Sequence, residues 1–393
     1  MIIMNLKVNN FLGFNNFEIN MSYPKKIVNS PIDHEYLSGR QNFRYKKINI
    51  VMGSNATGKT SLGKMMMKIF NFINTMNYEE LIKIIKDKNK EANFSIDIII
   101  ENNKNMEYSL YRIDTTIKPN EDHKYDSSDI LVLVKSTKIN KDDSYEKCVE
   151  KLNTSCDETS NYVQELEKVR KSLGWRFEHL ETGIHFDFKE IDETCLKIIN
   201  ATLKTLDPAI ESVERISEVK DTYVIKMKNQ DIIIQDGKIL NEEILSSGTK
   251  SGINIAFMVA AIKSGRNGFY YCDEKFSYIN TDIEQAFLAV MCELLKENEQ
   301  LFFTTHNLDI LAMDFPKHSF VFLRKDISNE EYPIQIEYAS HYLKRNTDSL
   351  RNAVENDMFA TAPSLEGIYK IVEDTKPKNN YGESETEKKL FDI

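Results

Sequence analysis

The sequence predicts an α/β fold, a mixed sheet flanked by helices and split by an inserted, mainly helical lobe. Three observations predict it. Strand-helix-strand patterns occupy both ends of the 393-residue chain, and that order is the mark of a layered α/β domain. Between them, residues 145–180 carry apolar positions at spacings of three and four. A glycine-bounded loop, 53–60, joins an early apolar strand to an apolar-periodic helix.

The elements follow in order. Ile2, Met4, Leu6 and Val8 alternate with other residues, and Phe17 and Ile19 follow Gly13, so 1–20 reads as two short strands. Residues 21–45, with Pro24, Pro31 and Gly39, read as a surface insertion. Lys47 to Met52 is a short apolar strand. Leu62, Met65, Met66, Ile69, Phe70 and Ile73 place a helix from Ser61 to about Tyr78. Phe94–Ile100 and Met106–Ile113 read as a hairpin, and 114–129 as a polar loop. Tyr145, Val149 and Leu152, then Val163, Leu166, Val169 and Leu173, predict two helices broken at Asn153 to Ser155. Thr222 to Ile234 is a strand pair. From Glu243 to about Ile336 the order is helix, strand, helix, strand, strand. The charged stretch 374–389 predicts a mobile tail.

Composition narrows the class. Lys+Arg number 51 against 61 Asp+Glu, a net charge of −10, which excludes a purely electrostatic nucleic-acid binder. No run approaches the roughly 20 apolar residues needed to span a bilayer. The N-terminus shows no basic flank with a long apolar stretch, so no signal peptide is expected. Cys148, Cys156, Cys195, Cys272 and Cys292 are scattered without a CxxC, as expected for a reducing cytoplasm.

The chemistry concentrates in four blocks. Gly53-Ser54-Asn55-Ala56-Thr57-Gly58-Lys59-Thr60, with Ser61 after it, matches G-x-x-x-x-G-K-[ST] between a strand and a helix. Its glycines let the backbone curl with N–H groups around phosphate oxygens, and the helix start adds positive potential. Lys59 supplies a point charge for β- and γ-phosphates, and Thr60 a hydroxyl for Mg²⁺. Phe269 to Cys272 is an apolar strand ending in Asp273 and Glu274. A strand-end Asp reaches a magnesium shell, so Asp273 joins Thr60 as a metal residue, and Glu274 is the candidate general base. Leu301 to Thr305 ends in His306 and Asn307, and His306 is placed to bond the γ-phosphate. Leu245-Ser246-Ser247-Gly248-Thr249 precedes a helix with Ile255, Val259 and Ile262. It is a second phosphate-binding helix start.

Together these blocks resemble the ABC-type ATPases, in the branch containing RecF, SMC, Rad-type repair ATPases and the OLD family. Leu6 to Phe14 is similar to that branch's first hairpin, Leu245 to Thr249 to its signature, and Thr304 to His306 to its switch histidine. The resemblance covers roughly 1–115 and 205–325. It implies an ABC-type ATPase head binding ATP and Mg²⁺, in which Ser246, Ser247 and Gly248 of one copy complete the ATP site of another. It thus implies an ATP-dependent homodimer or higher oligomer. Two departures stand out: Thr249 where Glu or Gln is usual, and Asn280 of Ser277–Asn280 where Asp is usual. They imply slow or partner-stimulated hydrolysis. No glutamine is assigned to magnesium sensing.

The segment from Asp348 through Leu350, Arg351 and Phe359 to Pro363 is similar to the C-terminal segment of stand-alone ATPases of bacterial anti-phage systems. It implies a sensor or regulator controlling a partner effector, a toxin or nuclease; a surface helix and turn closing the domain is the other reading. The alternative function is a RecF-like repair ATPase clamping DNA, which needs a basic surface such as Lys25, Lys26, Arg40, Arg44, Lys46 and Lys47. A membrane transporter subunit is the weakest class. The expected division is 1–115 (first part of the head), 116–205 (helical lobe), 206–340 (second part of the head) and 341–393 (helical segment and tail). The expected location is cytoplasmic, with no membrane partner.

Overall fold

The computed structural model describes residues 1–375, except 29, 104–105, 121–123, 155–160, 171–172, 180–191, 220–221, 229, 236–237, 241–242, 244, 346 and 363–364. The tail expected at 374–389 falls almost wholly outside this range. In chain order the elements are β1 (Ile2–Asn9), β2 (Phe17–Asn20), β3 (Tyr36–Leu37), β4 (Arg40–Arg44), β5 (Ile48–Met52), α1 (Lys59–Thr75), α2 (Glu79–Ile82), β6 (Ala92–Asn103), β7 (Glu107–Ile117), β8 (Ile130–Lys138), α3 (Tyr145–Asn153), α4 (Tyr162–Glu167) and β9 (Trp175–His179). They continue as α5 (Glu193–Leu206), β10 (Ile210–Arg215), β11 (Thr222–Met227), β12 (Ile232–Gln235), β13 (Lys238–Ile239), α6 (Ser247–Ser264), β14 (Phe269–Asp273), α7 (Thr281–Leu294), β15 (Gln300–Thr304), β16 (Phe320–Lys325), β17 (Ile334–Tyr338), α8 (Ala339–Tyr342), α9 (Leu350–Glu355) and α10 (Glu366–Thr375).

The central sheet has the order β17-β16-β5-β15-β14-β9. From β16 to β9 neighbouring strands are parallel, and β17 is an antiparallel edge. Strands β5, β14 and β15 bury every residue, as expected of parallel strands covered on both faces. Phe269, Tyr271 and Phe302 pack in one core with Leu62, Met66 and Phe70 of α1. Tyr270, Cys272, Leu301 and Phe303 pack on the other side with Met258 and Val259 of α6 and Leu288 and Met291 of α7. The alternation of side chains along a strand produces this division.

A second sheet, β2-β1-β6-β7-β8, is antiparallel throughout. It shares the α1 core through Leu6, Val8, Phe94 and Ile96, so α1 is sandwiched between two sheets. A third, β10-β11-β12-β13, packs on α5 and α6 through Ile225, Ile232, Leu203 and Phe257.

Three expectations need correcting. The stretch 116–205, expected as a mainly helical lobe, carries strands as well as helices among its described residues. Alternating Ile130, Val132 and Val134 make β8 the last strand of the antiparallel sheet. Trp175–His179, expected as the end of a helix, is instead β9, in parallel register with β14. Its Trp175 and Phe177 rings meet Phe70 edge-on, each at 5.6 Å between centroids, and this aromatic contact outweighs local helical spacing. The insertion 21–45 is not wholly superficial, because Leu37, Phe43 and Tyr45 are buried beside Met4, Tyr108 and Leu110.

The chain divides into two units, Met1–Thr361 and Ala362–Ile393. The C-terminal boundary therefore lies past the expected position 341. Leu350, Ala353 and Phe359 belong to the core around α6 and α7, and the Phe359 ring stacks on Phe322 at 4.1 Å. The second unit carries α10, with Ile368 exposed. Among the described residues no helix is long and apolar enough to cross a membrane.

Candidate functional site

Parallel register brings the four sequence-predicted blocks to one sheet edge. Asp273 pairs with Thr304 on one side and His179 on the other, while Thr304 pairs with Val51. The strands β5, β15, β14 and β9 therefore end level. The carboxyl ends of β5, β15 and β14 release the 53–60 loop, His306 and Glu274 at one edge, where open parallel sheets hold ligands.

The loop has the backbone its residue types allow. Gly53 has φ 151°, Ala56 φ 63° and Gly58 φ 108°. A Cβ on Gly53 would lie 2.4 Å from the Leu323 carbonyl oxygen, which excludes any other residue there. Thr57 donates its hydroxyl to the Ser54 carbonyl at 2.9 Å and closes the turn. Asn55 and Ala56 are exposed at the tip, while Ser54 and Ser61 are half-buried. Gly58 caps α1 without a side chain, so the first-turn N–H groups of α1 have no capping acceptor from it.

Lys59 is 3% exposed. Its ammonium donates to the carbonyls of Gly53 at 2.8 Å and Ser54 at 3.0 Å. It also lies 3.4 Å from His306 Nδ1 and 3.4 Å from Glu274 Oε1. His306 Nε2 is 2.8 Å from the same Glu274 oxygen. With Lys59 donating to Nδ1, the ring carries its proton on Nε2 and donates it to Glu274. Burial lowers the Lys59 pKa, opposed in part by the charges of Glu274 and Asp273. Burial pushes the Glu274 carboxyl up, but the His306 hydrogen bond and the Lys59 charge outweigh it and leave it below the usual range. Glu274 is thus ionised at neutral pH. It sits at φ 51°, held there as its amide donates to the Thr304 hydroxyl at 3.0 Å; backbone strain of this kind collects at functional sites.

Asp273 is fully buried. Its Oδ1 accepts from the Thr304 hydroxyl at 2.7 Å and its Oδ2 lies 3.2 Å from His179 Nδ1. Burial raises its pKa, but hydrogen bonds from His179, Thr304 and Thr60 bring it below the usual value. Thr60 and Asp273 therefore adjoin, as expected of a hydroxyl–carboxylate pair able to hold a hard cation. Among the described residues there is no cluster of three or more His, Cys, Asp or Glu side chains built to hold a metal alone.

Ser246, Ser247 and Gly248 start α6 as expected, but they do not join this cluster. Ser246 and Ser247 are exposed. Ser246 Oγ accepts from the Thr249 amide at 3.0 Å and caps the helix. The buried Thr249 hydroxyl donates to Asp207 at 2.9 Å, so the residue that departs from the usual signature faces inward. Tyr278, 61% exposed, lies beside Gly248: a Cβ there would be 3.5 Å from the Tyr278 carbonyl oxygen. Asn280 caps α7 by accepting from the Asp282 amide at 2.8 Å.

Sequence reasoning missed His179, Thr304 and Glu284. His179 lies on an unrecognised strand and approaches α1 only because Gly63 has no side chain: a Cβ there would be 2.8 Å from the His179 ring. Thr304 was visible as the residue opposite Asp273 once the two strands are parallel. Glu284 gives no local signal. Two of the six residues named for a DNA-clamp surface are buried, while Lys25 and Lys26 stay exposed and Arg40 and Arg44 half-buried. Lys46 and Lys47 are 4% and 2% exposed. Lys46 donates to the Asn20 carbonyl at 2.8 Å and sits over the Tyr338 ring, while Lys47 donates to the Asp33 and Leu295 carbonyls.

No protein-family model matches the chain, and no curated protein does. Solved structures do. The SMC head bound to the C-winged helix domain of ScpA has a TM-score of 0.53 at 14% identity, over 88% of this chain and 100% of that one. The SMC head domain from Thermotoga maritima scores 0.43 at 12% identity, over 86% and 99%. The SMC head with an extended coiled coil, bound to the C-terminal domain of ScpA from Pyrococcus furiosus, scores 0.46 at 12% identity, over 95% and 98%. The first likeness shows the fold: a mixed α/β fold of the SMC-head kind.

Proposed function

We propose that the chain is an ATPase that binds ATP with Mg²⁺ in the 53–61 loop, pairs with a second copy around it, and converts ATP and water to ADP and phosphate. One observation carries this reading: Lys59, Glu274 and His306 meet at one point beside Thr60 and Asp273, at the carboxyl ends of adjacent parallel strands. The loop fits the ligand. The buried Lys59 ammonium bonds the carbonyls of its own loop and has Glu274 as an anionic neighbour at 3.4 Å, which supports a site built to take phosphate there.

ATP with Mg²⁺ supplies an activated phosphoryl group whose charge must be neutralised as it leaves. Lys59 and the first-turn N–H groups of α1 hold the phosphates. Thr60 Oγ1 and Asp273 would hold Mg²⁺. Glu274 Oε1, ionised and partly buried, accepts a proton from an oriented water. His306 Nε2, which donates to Glu274 without ligand, is placed to donate to phosphate instead. Ser247 and the Gly248 amide of the second copy cap the opposite side, a role that the exposure of Ser247 supports.

The chain's role is proposed to be that of a sensor or regulator in anti-phage defence, controlling a toxin or nuclease. The likeness of Asp348–Pro363 supports it, and a solved SMC head that carries a winged-helix domain of another protein supports a protein partner. Burial of Leu350, Ala353 and Phe359 favours a domain-closing role for part of that segment. Phosphate release by wild type and Glu274→Gln, beside direct ATP-binding measurements, tests the reading. Wild type is expected to bind and hydrolyse ATP, and the variant to bind it unchanged with turnover down by about 10²–10⁴. Equal turnover removes Glu274 as the base, and a wild type that binds no ATP overturns the proposal. Co-purification of a toxin or nuclease subunit tests the defence role; DNA binding that needs ATP and weakens with salt would replace it with the clamp.

A further inference from the structure

Glu284 stands in the first turn of α7, outside the 53–60 loop and the strands β14 and β15, and is 6% exposed. Burying a carboxylate is costly unless it is fully hydrogen-bonded. Both oxygens are used, and both go to the residues flanking His306. Oε1 accepts the Thr305 hydroxyl at 2.6 Å, and Oε2 accepts from Asn307 Nδ2 at 2.9 Å. The Thr305 oxygen also accepts from the Asn307 amide at 3.0 Å, and Asn307 Oδ1 accepts from the Asp309 amide at 2.9 Å. A single carboxylate thus fixes the turn before and after His306, while the imidazole reaches away to Glu274 and Lys59.

The same helix leads to the exposed loop. The Glu284 amide donates to the Asn280 carbonyl at 3.0 Å, and Asn280 ends the 277–280 loop that passes Gly248. We infer that Glu284 is a positioning residue: it sets the His306 imidazole at hydrogen-bonding distance from Glu274, and it carries any shift of the 277–280 loop to that imidazole through the first turns of α7. The inference deepens the ATPase reading and rests on it for the consequence in turnover, but not for the geometry.

The network offers a reciprocal swap. Glu284→Gln leaves one accepting oxygen for two donors, so either the Thr305 hydroxyl or the Asn307 NH₂ loses its acceptor. Asn307→Asp sets a carboxylate against the Glu284 carboxylate. The pair Glu284→Gln with Asn307→Asp restores one donor and one acceptor and leaves the Asp309 contact possible. A cycle of this form isolates the coupling between the two residues. The readout is the ring-nitrogen spectrum of the full chain labelled with ¹⁵N-histidine, without nucleotide, with the His306 signal among the seven histidines identified by its loss in His306→Asn.

Each single variant is expected to move the His306 signals, and the double variant to return them toward wild type. With ATP, Glu284→Gln is expected to keep affinity within about twofold while turnover falls about tenfold, and the double variant to recover turnover. Should Glu284→Gln fail to fold, as judged by a lost cooperative unfolding transition, Asn307→Asp and the double variant decide alone. Unmoved His306 signals in the folded single variants, no recovery in the double variant, or wild-type turnover in Glu284→Gln overturns the inference. A wild type that binds no ATP overturns the ATPase reading instead, and the spectra still decide the role of Glu284.

Discussion

Two helices of this chain begin at a Gly-Ser-Thr-rich turn, and they begin differently. α1 follows Gly58 at φ 108°, with no side-chain cap, and its first residue is a buried lysine. α6 follows Ser246 in extended backbone, and Ser246 caps it by accepting the Thr249 amide. The first terminus keeps its donors for something outside the protein. The second is already satisfied at Thr249 and offers only its outermost groups, Ser247 and Gly248. Under the proposed function, the helix start that would bind phosphate by itself and the one that would complete a site made elsewhere differ in their caps.

The largest test of this contrast is Lys59→Ala. It removes the ammonium that bonds the Gly53 and Ser54 carbonyls, and ATP affinity is expected to fall at least about 100-fold, equal to roughly 2.7 kcal/mol. Retained affinity, measured by equilibrium dialysis, would make the two termini equivalent. Ser247→Arg is next. It puts bulk and charge on the exposed start of α6, so ATP-driven pairing is expected to weaken about tenfold, while ATP binding by the single copy stays within about twofold. Sedimentation over a range of protein concentration checks it, and loss of ATP binding by the single copy would place α6 in the same site as α1. Ser246→Ala should cost about 1 kcal/mol of stability through the lost cap. Gly58→Ala is not its counterpart, because a Cβ at 58 would lie 2.9 Å from the Ile334 side chain and the φ is positive.

The smallest test compares two buried lysines. Lys46, like Lys59, is nearly inaccessible, but its ammonium is enclosed by Asn20 and Tyr338 rather than facing a loop. Burial brings its pKa down to about 7. Between about pH 7 and 10 the unfolded chain then binds this proton and the folded chain releases it, so stability rises with pH in that window. Lys46→Met removes that slope. Denaturant midpoints at pH 7 and pH 10 are expected to separate for wild type relative to the variant; parallel midpoints would contradict the burial argument.

The parts legible in the sequence were those with local signatures. The loop, the strands 48–52, 269–273 and 300–304, and the helices after 59 and 247 all announced themselves by periodicity and turn residues. What stayed hidden depended on partners far away in the chain. Trp175–His179 shows no alternation because its burial is set by β14 and Phe70. His179 could not be placed on Asp273 before that strand was known. Lys46-Lys47 reads as a basic surface until Tyr338 and Leu295 are brought over it. Glu284 reads as an ordinary helix-surface carboxylate until Thr305 and Asn307 arrive from the far side of β15.

The most direct measurement is the mass of the Glu274→Gln chain in solution by light scattering, with and without ATP and Mg²⁺. This substitution leaves Lys59 and Ser247 intact, so twice the monomer mass is expected with ATP and the monomer mass without it, and Lys59→Ala in the same chain is expected to abolish the change. A monomer at saturating, directly measured ATP occupancy would contradict the account.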